Sequence, residues 1–149
     1  MRKLWLKATL VSGAIDALFA TLIALARGAS VADLWRGVAA GPFGDAAKNW
    51  GLGGSLLGLA VHFALMGLMA GALLALLRLP LLTRINWVLL GLLYGLATWL
   101  VMYGIVLPWR FGTPFPQTDP AKLASHLFAH VGLVGLPMAW LFKRRPLPA

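Results

Sequence analysis

The chain has 149 residues, 60% of them hydrophobic and 11% charged, with 13 Lys and Arg against 4 Asp and Glu for a net charge of +9. A soluble domain carries roughly 45–50% apolar and about 25% charged residues, so a mean hydropathy of +0.84 excludes an ordinary water-soluble fold and indicates a membrane domain. The basic residues sit at the ends of apolar runs, which points to anionic lipid headgroups and away from nucleic acid, and the absence of cysteine excludes disulfides and thiolate metal sites.

The first apolar run extends from about Leu6 to Ala26, long enough to cross about 30 Å of hydrocarbon as a helix. Met1-Arg2-Lys3 before it and Ala26-Arg27-Gly28-Ala29-Ser30 after it resemble a secretory signal peptide. The run from Ala8 to Ala26 exceeds the usual core of about 7–15 residues, however, and Asp16 lies in its middle. It is therefore expected to be a retained first span.

Ser30-Val31-Ala32-Asp33 then opens like a capping box, with aspartate in place of the usual Glu or Gln. With Leu34, Trp35, Val38 and Phe43 as its apolar content, the following segment reads as a short helix lying at the membrane interface. A second span runs from about Leu52 to Leu77. Leu79-Pro80 breaks it, and the tight Arg78 to Arg84 connection makes an antiparallel hairpin with a third span, about Ile85 to Leu107. Pro108, Gly112, Pro114 and Pro116 predict an irregular loop, because proline removes a donor and fixes φ. Asp119-Pro120 supplies an N-cap and a proline at the first helical position for a fourth span, about Ala121 to Phe142. The expected architecture is all-α: one membrane domain over residues 1–149, a four-transmembrane-helix bundle with a short interfacial helix between spans one and two.

Gly54, Gly58, Gly67 and Gly71 in span two, and Gly91 and Gly95 in span three, allow close helix packing where no hydrophobic effect drives it. Trp5, Trp35, Trp50, Trp87, Trp109 and Trp140 fall near the span boundaries, as an aromatic belt requires, while Trp99 lies inside. One side of the bundle carries Arg2, Lys3, Lys7, Arg78, Arg84, Lys143, Arg144 and Arg145 with no acid. The other carries Arg27, Arg36, Lys48, Arg110 and Lys122 with Asp33, Asp45 and Asp119. The first side is thus expected to be cytoplasmic, with both termini on it.

Ionisable and strongly polar residues within spans are costly and tend to face partners in a bundle interior. Those here are Asp16, His62, Tyr94, Thr98, His126 and His130. At 1.5 Å per residue, Asp16 and His62 lie about 15–17 Å from the non-cytoplasmic boundary and His130 and Thr98 about 13–15 Å. Each span therefore brings one polar group near the midplane. Thr9, Ser12 and Asp16 share one side of span one, Tyr94 and Thr98 a side of span three, and His126 and His130 a side of span four.

Three readings of this layer stand side by side. It is a structural polar fastening; it binds a metal ion or proton, with Asp16, His62 and His130 as ligands; or His62 with His130 or His126 holds a b-type haem. The chain has no Gly-rich phosphate loop, His-Glu-x-x-His motif or Gly-x-Ser-x-Gly elbow, so no catalytic activity is assigned.

The stretches Gly58-Leu59-Ala60-Val61-His62-Phe63-Ala64, Tyr94-Gly95 with Leu107-Pro108, and His130-Val131-Gly132-Leu133-Val134-Gly135-Leu136-Pro137 resemble a group of small four-span bacterial inner-membrane proteins distantly similar to the YagU-like family. Ser12-Gly13-Ala14-Ile15-Asp16 and the run from Arg36-Gly37 to Gly44-Asp45-Ala46 resemble it too, whereas Tyr103 stands where that group has asparagine. The resemblance implies a bacterial inner membrane and four helices, and no reaction. The function expected is ion or proton binding at the buried Asp/His layer. An accessory or structural subunit, packed on another membrane protein or on its own copies, is the alternative.

Overall fold

A computed structural model describes residues 1–144; Arg145, counted above among the basic residues of one side, lies outside them. Four helices are long and apolar enough to cross a membrane: α1 (Arg2–Ala26), α3 (Gly51–Leu76), α5 (Trp87–Phe111) and α6 (Pro120–Lys143). Two shorter helices connect them, α2 (Val31–Phe43) and α4 (Pro80–Arg84), and no strand occurs among the described residues. The caps read from the sequence form. Ser30 Oγ accepts from the Asp33 amide, and the Asp119 carboxylate accepts from the amides of Ala121 and Lys122. The Lys122 amide foremost holds the Asp119 carboxyl below the usual carboxylate range.

In the bundle α1 lies between α3 and α6, and α6 also packs along α5. The larger core cluster, with Met66, Ala70, Leu73, Tyr94, Val134, Met138 and Phe142 buried, fills the end where the chain starts and α4 turns. At that end Lys143 Nζ donates to the carbonyls of Leu82 (3.0 Å) and Thr83 (2.6 Å), closing the last turn of α4. A smaller cluster of Ala39, Ala40, Ala47 and Leu57 fills the opposite end.

Glycine sets the closest approaches. A Cβ on Gly95 would meet Val131 Cα at 2.5 Å and the His130 carbonyl at 2.6 Å, and one on Gly135 would meet Gly95 backbone at 2.8 Å. Helices α5 and α6 thus cross backbone to backbone, which is how small residues support packing in lipid. Gly58 lies against the Trp35 carbonyl in the same manner, so α2 seats into α3 about two turns below its start.

Several expectations are corrected. Proline 108 was expected in the loop, yet α5 continues through it to Phe111 and ends at Gly112, whose φ of 64° suits a residue without Cβ. A helix tolerates an internal proline if the carbonyl four residues earlier is relieved of the ring clash. Here α5 widens to π geometry over Met102–Val106, just before Pro108, and α6 does the same over Phe128–Gly135, just before Pro137. Two tryptophans assigned to the belt turn inward instead. Trp5 Nε1 donates to the Gly67 carbonyl at 2.8 Å, and Trp35 is 8% exposed against His62. The face of α2 carrying Trp35, Ala39 and Ala40 is buried on the bundle, and Phe43 at its end is half exposed.

Arg110 fastens α2 to the far end of α5. Its Nε donates at 2.8 Å to the Gly41 carbonyl, on the last turn of α2 where intrahelical donors run out, and its Nη2 joins the Gly44 amide on the Ala40 carbonyl, at 2.7 Å. Asp45 stands 3.7 Å from the same guanidinium. Arg110→Ala is expected to cost about 1.5–3 kcal/mol, the range for hydrogen bonds to a charged group. Hydrogen exchange of the α2 amides should accelerate while α1 and α3 stay protected; unchanged α2 protection would show the contact to be idle.

Candidate functional site

The six polar residues of the spans do not form one cluster. Asp16 on α1 and His62 on α3 are both buried and meet with the His62 Nδ1 4.0 Å from Asp16 Oδ2. Gly13 on α1 lies against the Phe63 ring and Met66 of α3, and Gly58 on α3 against the Trp35 backbone of α2. His62 Nε2 lies 3.0 Å from the Gly13 carbonyl. The rings of Trp35 and Phe63 flank the imidazole edge-on, at 5.5 and 5.4 Å between centroids. Ser12, one turn from Asp16, is fully buried with an unpartnered hydroxyl.

Tyr94 and Thr98 are occupied elsewhere. The Tyr94 hydroxyl donates to the Met69 carbonyl across the bundle at 2.6 Å, and Thr98 Oγ1 donates to the Gly95 carbonyl of its own helix at 2.9 Å. On α6, His130 Nδ1 lies 3.2 Å from the His126 carbonyl. The His126 ring stacks on Tyr103 of α5 at 4.1 Å with 19° between planes, and His130 meets the same phenol edge-on at 5.4 Å. The layer therefore resolves into an Asp16–His62 pair between α1 and α3, and a Tyr103–His126–His130 group between α5 and α6.

This division bears on the ligand classes. No group of three His, Asp or Glu side chains able to hold a metal ion occurs among the described residues, so Asp16, His62 and His130 do not form a ligand set in this conformation. Both nitrogens of His62 face protein oxygens, and neither is directed at an axial position shared with His126 or His130.

The Asp16–His62 pair lies within ion-pair range, at 4.0 Å, and beyond direct hydrogen-bond distance. A carbonyl only accepts, so the contact with Gly13 places a hydrogen on His62 Nε2. In a neutral imidazole Nδ1 is then a bare lone pair, and it faces a carboxyl oxygen. At 4.0 Å no hydrogen bond joins the two, and a closer approach of the helices would make one only with a proton on either group. That proton makes either a carboxylic acid beside neutral imidazole or a carboxylate beside imidazolium.

Trp35, Tyr103 and Ser12 contact the two groups but were not among the site residues expected from the sequence. Ser12 was placed on the Asp16 side of span one by helical spacing. Trp35 and Tyr103 had only their aromatic bulk as a signal, which does not distinguish a belt residue from one turned inward. The chain matches no family model, no curated protein and no solved structure.

Proposed function

We propose that this four-span membrane protein holds a dissociable proton between Asp16 and His62. The observation that carries the reading is the geometry of His62, with Nε2 on the Gly13 carbonyl and Nδ1 turned to Asp16 Oδ2. Two titratable groups facing one another favour a proton over a metal ion, which needs a larger donor set. Ser12 supplies a further buried hydroxyl one turn away, and Trp35 and Phe63 keep the imidazole in an apolar surround. The membrane we infer is a bacterial inner membrane, supported by the family resemblance, with both termini cytoplasmic, supported by the acid-free basic end. Arg2, Lys3, Lys7, Arg78 and Arg84 at that end suit anionic headgroups.

Infrared difference spectroscopy across a pH step, on purified protein in nanodiscs, tests the proton site. The wild type should show a titrating buried-carboxyl band or, in the ion-paired form, imidazolium ring bands. Asp16→Asn should remove them while circular dichroism stays unchanged. A pH difference spectrum identical in wild type and Asp16→Asn sinks the reading.

A further inference from the structure

The Asp16–His62 pair is closed off differently toward the two ends of the bundle. Toward the termini, about 21 Å of helix separates His62 from the end of α3 at Leu76. That end is filled by Met66, Leu73, Leu77, Val134, Met138 and Phe142, each at most 4% exposed, so side chains interdigitate without a way through. In the other direction about 16 Å separates His62 from Gly51, the start of α3. There the pair is covered by α2, whose buried residues are Trp35, Ala39 and Ala40. The Trp35 ring stands edge-on to the imidazole at 5.5 Å between centroids. Trp35 is thus the one bulky buried side chain that α2 sets against the pair.

The ends of α2 carry hinge residues. Gly28 precedes it at φ 74°, Gly44 ends it at φ 85° and Gly51 opens α3 at φ 53°, each with open space where a Cβ would stand. A few residues at element ends absorb the φ and ψ changes of a hinge motion. Alanine methyls bury little apolar area, so polar ties carry much of the hold on α2. Ser55 Oγ donates to the Ala32 carbonyl at 3.2 Å near its start, and Arg110 reaches the Gly41 and Ala40 carbonyls near its end. Arg36, beside Trp35, pairs with Asp33 through Nη2, while its Nε is buried without an acceptor in the protein. A buried donor left unpaired is costly, and lifting α2 toward water relieves it, which narrows the gap between seated and lifted states.

We propose that α2 is a gate over the Asp16–His62 pair, with Trp35 as its plug and Arg110 as the latch that sets how often it opens. Lifting Trp35 from His62 admits water, and with it the exchanging proton, from the α2 side alone. The inference rests on the proton reading for what passes, and on the packing of α2 for where it passes.

The chain has no cysteine, so His62→Cys supplies a single thiol beneath the plug. The membrane-impermeant cation trimethylammonium-ethyl methanethiosulfonate is applied separately to each face of sealed, uniformly oriented vesicles. Labelling should be slow from both faces in His62→Cys, and adding Arg110→Ala should speed it about tenfold from the α2 face while leaving the other face unchanged. Equal rates with and without Arg110→Ala, or acceleration from the terminal face, overturn the proposal. Should His62→Cys misfold, Ser12→Cys decides by the same comparison, since a thiol replaces a fully buried hydroxyl one turn from Asp16. In protein that keeps both Asp16 and His62, Arg110→Ala should also speed the infrared response of the pair to a pH step on the α2 face; an unchanged response counts against the gate. Absence of any titrating band would sink the proton reading instead, with the labelling rates still judging the gate.

Discussion

Gly135→Ala is expected to push α5 and α6 apart and to destabilise the bundle by about 3 kcal/mol, the upper part of the usual range for overpacking. The reason is what the new methyl would meet. Its surroundings are the Gly91 carbonyl and the Gly95 backbone, with Cα and N at 2.8 Å. A side chain in the way can rotate, but a helix backbone moves only with the rest of its helix. Gly104→Ala provides the comparison, since its added Cβ would find only the Phe115 ring at 3.6 Å or beyond, an ordinary contact. That variant should be within about 0.5 kcal/mol of wild type, as for a substitution away from any such feature. Thermal unfolding in detergent measures both, and equal midpoints for the two variants would refute the backbone-to-backbone crossing.

His62→Leu is the second large effect. It fills most of the imidazole volume but leaves Asp16 without its partner, and removing one member of a buried pair costs about 3–5 kcal/mol. Asp16→Leu combined with His62→Leu should recover much of that loss, because an apolar pair of similar volume leaves no uncompensated group. Asp16→Asn should be milder than either single leucine variant, since its neutral amide keeps a polar group able to donate facing His62 Nδ1. A double-mutant cycle from unfolding midpoints reads the coupling directly. Additive losses with no recovery in the double variant would mean that the two side chains do not interact.

The spans were legible because hydrophobic length and punctuation report them directly. Asp119-Pro120 and Ser30 marked helix starts that the structure shows with side-chain caps. The glycines of spans two and three marked close packing, which the contacts of Gly58 with Trp35 and of Gly95 with Val131 bear out. The polar layer was legible only in depth. Rise per residue fixes how far Tyr94 and Asp16 lie along their helices, yet it does not say how each helix is rotated about its neighbours. Tyr94 shows the consequence, since it faces the Met69 carbonyl and not the histidines. Pro108 and Pro137 carried the signal for the two π-form turns, but proline in a sequence reads equally as a loop or as a relieved helix. Only packing on both sides of the proline decides, and that information is not local.

The Arg110 fastening has a consequence for the order of assembly. Gly41 and the arginine that closes its carbonyl are 69 residues apart in the chain, with α3, α4 and nearly all of α5 between them. During synthesis α2 can reach its seat on Gly58 as soon as α3 emerges, but its final turn stays open until the hairpin of α3 and α5 has crossed the membrane. A nascent chain stalled before Arg110 should therefore present α2 docked at its Trp35 end and frayed at its Ala40 end. Release past that residue is the moment when the extramembrane helix becomes part of the bundle.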